Sequence, residues 1–150
     1  MPTIGDSPVK SLRNVLVVGE KNIFGEIAQI VTIASEANTL LQQMLSDNQN
    51  EKALDNGMQA IRILEDKSDK IAFKVTEDIT TGAVSPNILE HLLECVHVAD
   101  DIVDTYSYQS REINRMHKAR FPYSEALQEN EWISIFKSML ELAEKALLKV

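Results

Sequence analysis

Two short acidic runs carry the residue types and spacing best suited to chemistry. One is Leu64-Glu65-Asp66-Lys67-Ser68-Asp69 and the other is Ala99-Asp100-Asp101-Ile102-Val103-Asp104. Each reads Glu/Asp-x-x-x-Asp. Side chains four apart stack on one face of a helix, so Glu65 with Asp69, and Asp100 with Asp104, each offer a two-carboxylate patch, with Asp66 and Asp101 beside them. Carboxylates brought so close repel and need a positive partner. Basic side chains such as Arg62, Lys67, Lys70 or Lys74 can fold over them. A metal ion held by oxygen ligands can do the same, and an all-carboxylate set suits Mg²⁺, Ca²⁺, Mn²⁺ or oxidised iron. A proton shared among the acids is a third solution at low pH. Spacing alone does not choose among them.

The elements that must position these acids follow from apolar periodicity. Ile23, Ile27, Ile30, Ala34, Ala37, Leu41 and Met44 recur at steps of three and four and predict a first helix from about Asn22 to Ser46. Residues 1–19, with Pro2, Gly5, Pro8 and Gly19, read as an irregular lead-in, and residues 20–150 as one helical domain. A second helix over about 51–80 has the stripe Leu54, Met58, Ile61, Glu65, Ser68, Ala72, Val75 and Ile79. Gly82 suits a positive-φ helix end, and Ser85-Pro86 a serine cap followed by proline at the first helical position. A third helix over about 86–118 has the stripe Leu89, Leu93, Val96, Asp100, Val103, Ser107 and Ser110. Pro122 stops the chain, Ser124 can cap a fourth helix, and Trp132, Ile135, Phe136, Met139, Leu142, Ala143, Ala146 and Leu147 carry it to the end. Four long helices with short connections predict an all-α, antiparallel up-down bundle.

Glu65 and Asp100 therefore occupy stripe positions that otherwise hold apolar or small residues. Counted from the turn near residue 83, the two acidic patches differ in height by only about 4–5 Å at about 1.5 Å per residue.

The run Ile63-Leu64-Glu65-Asp66-Lys67-Ser68-Asp69-Lys70-Ile71, the Ser85-Pro86 break, and Glu90 through Val103-Asp104 resemble PhoU-like proteins. The similar branch comprises the phosphate-transport regulators that accompany Pit-type permeases, and the resemblance covers about residues 20–120. It implies a fold of antiparallel three-helix units and a metal site, of iron or zinc in some members, at Glu65, Asp69, Asp100 and Asp104. It also implies a regulator rather than an enzyme, one whose partner is a phosphate transporter or sensor. Family members commonly continue for further helices, which a second subunit could supply, so a homo-oligomer is expected. After Ser85-Pro86 this chain reads Asn87-Ile88-Leu89, where the transporter-linked branch usually carries a charged run.

Other patterns compete with these. Asp100-Asp101-x-x-Asp104 and Glu65-Asp66-x-x-Asp69 also match the aspartate-rich motifs that hold Mg²⁺-diphosphate in isoprenoid synthases, which would make the chain a diphosphate enzyme. Those enzymes separate the two motifs widely, whereas here only a single turn divides the helices that bear them. Glu94-Cys95-Val96-His97 supplies one Glu-x-x-His, where a di-iron bundle wants two. His97 could reach a metal's edge; His91 and His117 receive no role. Glu36 and Glu141 could approach the acids from the outer helices. Met44, Met58, Met116 and Met139 read as core fillers, and Tyr106, Tyr108 and Tyr123 as bundle-edge packing with solvated hydroxyls. No nucleophile–His–Asp set, Gly-rich phosphate loop or Cys-x-x-Cys is present.

Composition agrees with this frame. Over 150 residues, 23 acids against 15 bases give a formal net charge of −8, which disfavours nucleic acid. A single cysteine, Cys95, excludes an intrachain disulfide. The apolar run Val15–Val18 is too short for a signal peptide or a membrane span, so a cytoplasmic protein is expected, with no insertion into membranes.

Overall fold

The computed structural model describes residues 8–46, 50–82, 85–120 and 131–149. Its elements are all helical: α1 (Pro8–Ser46), α2 (Glu51–Thr81), α3 (Pro86–Lys118) and α4 (Glu131–Leu147). The irregular lead-in expected over residues 1–19 is corrected over 8–19, where α1 is already helical from Pro8 and runs through Gly19; Pro2 and Gly5 lie outside the described residues. Proline at a helix's first turn forfeits no hydrogen bond, so Pro8 opens α1 as Pro86 opens α3. Pro122, Tyr123 and Ser124 lie outside the described residues.

Helices α1, α2 and α3 each pack on the other two, while α4, only 17 residues long, packs on α1 alone among the described elements. The centre is apolar: Ile27, Ile30 and Leu41 of α1, Leu54, Ile61, Val75 and Ile79 of α2, and Val96 and Val103 of α3 are all buried. Partner numbers on α3 fall as those on α2 rise: Asp55 meets Asn114 and Lys118, Glu65 meets Ser107, and Ser68 meets Asp100. Glu26 of α1 pairs with Lys74 of α2, and Met44 lies against Gly57, so the same inverse order holds there.

The helix ends follow local chemistry, with two corrections. Asn50 caps α2, its side-chain oxygen accepting from the Ala53 amide at 3.2 Å. Ser85 precedes α3 in extended conformation, yet its side chain makes no capping bond; its carbonyl accepts from Ile88 N instead. Gly82 ends α2 at φ −83°, not at a positive φ. Glycine is needed there for a different reason: a Cβ would stand 2.3 Å from the Asp78 carbonyl oxygen, to which the Gly82 amide is bonded.

Two side-chain expectations are also overturned. Tyr106 is buried, not at an edge, and its hydroxyl accepts from Asn38 Nδ2 at 2.8 Å. Among the described side chains of α4, Leu140 is buried and Glu144 Oε1 accepts from Thr32 of α1 at 2.6 Å, while Ile135, Met139 and Leu142 are exposed. Met139 is therefore not a core filler. Met44 is one, and Met58 packs partly buried against the core. Among the described residues no helix is long and apolar enough to cross a membrane.

Candidate metal centre

The α2/α3 seam changes character at mid-length. Leu54, Ile61, Val75, Val96 and Val103 are buried along it, and among them lie Ser68 and Ser107, both fully buried. Serine is small, so two helices can approach closely there, but a buried hydroxyl must find an acceptor. Each finds one across the seam. Ser107 Oγ donates to Glu65 Oε2 at 2.5 Å, and Ser68 Oγ donates to Asp100 Oδ1 at 2.6 Å. The pairing is reciprocal, because each helix contributes one serine and one acid. It holds Glu65 and Asp100 half-buried at the seam, with the second carboxylate oxygen of each left open to another partner.

Asp69 and Asp104, one turn along their helices, keep more contact with water. They are nevertheless on the same side. Incomplete hydration pushes the Asp69 carboxyl above its ordinary value, and the charges of Asp100, Glu65 and Asp66 push it further. Asp104 is raised in the same way, by lost hydration first and then by Asp100, Asp69, Glu65 and Asp101. Asp69 and Asp104 thus lie near enough to Glu65 and Asp100 for their charges to be felt across the two helices. The seam register explains it: the serine–acid bonds put Glu65 level with the turn bearing Asp104, and Asp69 level with the turn bearing Asp100.

Among the described residues the ion-paired basic side chains pair elsewhere. Lys74 pairs with Glu26 and Asp78, Lys118 with Asp55, and Arg115 with Glu112. Arg62, Lys67 and Lys70 are exposed, and among the described residues no ion pair reaches Glu65, Asp66, Asp69, Asp100, Asp101 or Asp104. The guanidinium that does approach belongs to Arg111, whose Nη1 stands 3.4 Å from Ser107 Oγ and touches Glu65 only through that hydroxyl. Among the described residues no group of three or more His, Cys, Asp or Glu side chains is arranged so that it could hold a metal ion.

The other candidates are not brought to the seam. Glu94, Cys95 and His97 are all exposed on α3. Glu36 lines an open apolar groove of about 460 Å³ between α1 and α2, with Thr39, Leu40, Ala60, Ile63 and Leu64, and Glu141 is exposed on α4. Neither contributes to the repulsion at Asp69 or Asp104. Ser68 and Ser107 were visible in the sequence as stripe members without a role; a serine in a core position of a helix that also carries a stripe acid is the signal that links them.

Fold and site together define an all-α protein with a carboxylate-lined seam between two of its helices. Comparison of the chain with protein-family models, curated proteins and solved structures found no match.

Proposed function

We propose that the protein is a PhoU-like, metal-binding regulator rather than an enzyme. In this reading Glu65, Asp69, Asp100 and Asp104 hold the ion, and Asp66 and Asp101 add negative charge at its rim. The observation that carries it is the mutual repulsion of acids across the α2/α3 seam, with no lysine or arginine paired to them among the described residues. Clustered carboxylates without a counter-charge are self-repelling, and a divalent or trivalent cation relieves that repulsion at several groups at once. Oxygen-only ligands favour Mg²⁺, Ca²⁺, Mn²⁺ or oxidised iron; iron or zinc is what the family resemblance implies. Exposed Asp69 and Asp104 are free to swing onto the ion, while Glu65 and Asp100 are held by the serines.

The up-down antiparallel arrangement of the PhoU-like units belongs to the same proposal, and the inverse order of partner numbers along α2/α3 and α1/α2 supports it. A role in phosphate transport or signalling, through contact with a membrane transporter or sensor from the cytoplasmic side, rests on the motif resemblance over residues 20–120. The net charge of −8 repels free phosphate, so phosphate would approach this seam only through the bound cation.

The test is metal analysis of protein purified without chelator, followed by calorimetric titration with Mg²⁺, Ca²⁺, Mn²⁺, Fe³⁺ and Zn²⁺. Glu65→Gln and Asp100→Asn should each weaken binding of the preferred ion at least about tenfold. Unchanged binding in both variants, or no binding of any of the five, rejects the site.

A further inference from the structure

We infer that α4 is a self-association surface, pairing in antiparallel fashion with α4 of a second copy of this chain. Helix α4 buries Leu140 and engages Glu144 on its α1 side, and it touches neither α2 nor α3 among the described elements. Its other side presents Ile135, Met139 and Leu142, which are 55%, 57% and 66% exposed, followed by exposed Ala146. These four residues form one stripe at helical spacing, with successive steps of four, three and four.

That order of steps is the same read in either direction. Two such helices laid antiparallel about a two-fold axis between residues 140 and 141 set Ile135 against Ala146 of the other copy and Met139 against Leu142. Every apolar side chain then meets an apolar side chain, as an isologous interface requires. Parallel pairing, about a two-fold axis along the helices, would also set apolar against apolar but would align the two helix dipoles unfavourably.

Charge permits a second copy at this face. Residues 131–149 hold three acids and three bases, and so are neutral within a chain of net charge −8. Helices α2 and α3 together carry 13 acids and eight bases, so self-association through them would oppose like charges, whereas contact through α4 does not.

The buried area sets the strength. Three large side chains and one alanine, at on the order of 100 Å² for each large one, give roughly 600–900 Å² over both copies, below the ~1,200 Å² of a stable interface. The dimer is therefore of the weak, concentration-dependent class, with a dissociation constant of about 10 μM to 1 mM.

Sedimentation velocity of the full chain from about 5 μM to 1 mM tests this. The wild type should move from monomer towards dimer across that range. Met139→Glu and Leu142→Lys, both at exposed positions, should each weaken association at least about tenfold with the circular dichroism unchanged. An equimolar mixture of the two variants should recover it, since the antiparallel register sets the new glutamate of one chain against the new lysine of the other. A wild type that stays monomeric to 1 mM overturns the inference, as does a dimer indifferent to both substitutions, which uses another surface. Failure of the mixture to associate overturns the antiparallel register. A wild type that binds vesicles of anionic lipid through this stripe and never dimerises overturns the choice of occupant.

Discussion

Ser107, buried on α3, donates its hydroxyl proton across the seam to Glu65 Oε2 on α2 at 2.5 Å. A hydrogen bond to an ionised acceptor contributes about 1.5–3 kcal/mol, more than a neutral one, because the carboxylate would otherwise lose hydration without replacement. Ser107→Ala should therefore destabilise the fold by about 1–3 kcal/mol in urea unfolding of metal-free protein. Glu65→Gln combined with it should cost less than the two changes added separately, with a coupling of about 1 kcal/mol. Additive effects would show that the two groups do not interact in solution.

The repelled carboxyls fix a pH dependence. Asp69 and Asp104 are raised from the ordinary 3.8, so the folded protein holds protons that the unfolded chain has released. Stability must then fall as pH rises through their folded-state titration, and the penalty is absent below about 3.8. Asp55 works in the opposite sense: its bonds from Lys118 and Asn114 hold its carboxyl below 3.8, so its stabilisation is present above that value and is lost below it. Metal-free protein should accordingly gain thermal stability from pH 7 down to about 4, then lose it on further acidification. Asp69→Asn with Asp104→Asn should flatten the upper limb and leave the lower one. An upper limb that is flat in the wild type would contradict the convergence of the acids.

A cation should invert that upper limb. Ligand carboxylates must be ionised, so binding weakens as they take up protons, and an ion that binds only the folded state stabilises by mass action. At a free concentration about 100 times the dissociation constant the gain is about 2.7 kcal/mol, present near pH 7 and vanishing towards pH 4. Differential scanning calorimetry with and without the ion checks this. A midpoint that rises equally at both pH values would indicate binding elsewhere than on these acids.

Much of this architecture was legible in residue order. The boundaries of α2 and α3 follow from Glu51, Gly82, Pro86 and the apolar stripes, and the acids on those stripes marked the seam. The start of α1 was not legible, because Gly5, Pro8 and Gly19 act locally as breakers, while Pro8 at a first turn and Gly19 within a long helix are both tolerated. The facing side of α4 was misread for another reason. That helix is apolar over a wide arc, and periodicity cannot tell which part of such an arc is covered until the partner, here α1 alone, is known. The serine–acid pairs needed the seam register, which a single sequence leaves open.

Tyr106 and Asn38 make the core's most consequential polar contact. Asn38 is fully buried on α1, its Nδ2 donates to the Tyr106 hydroxyl at 2.8 Å, and its Oδ1 has no partner among the described residues. Tyr106→Phe keeps the ring but strips the amide of its acceptor, leaving both polar ends unmet. The expected loss is about 1–3 kcal/mol, and Asn38→Leu in the Tyr106→Phe background should return part of it, since it removes the stranded group. A double variant less stable than Tyr106→Phe alone would mean that the loss came from packing.

Two helical glycines should respond to alanine with opposite signs. Glycine within a helix costs about 0.5–1 kcal/mol relative to alanine through backbone entropy, so replacement stabilises wherever space allows. Gly25, on α1, has nothing among the described residues within 4 Å of the position a Cβ would take, and Gly25→Ala should stabilise by that amount. Gly57, on α2, sits against buried Met44, whose Cγ and Sδ would stand 2.5 and 2.9 Å from the new Cβ. Cγ lies near the base of the methionine side chain, so relief requires a new rotamer within the core rather than a shift of the methyl tip. That overpacking costs about 1–3 kcal/mol and outweighs the propensity gain, so Gly57→Ala should destabilise. Adding Met44→Ala to Gly57→Ala should then cost less than Met44→Ala costs in the wild type, as paired urea-unfolding curves will show. Equal costs in the two backgrounds would place Met44 away from Gly57 and remove the contact that sets how closely α1 approaches α2.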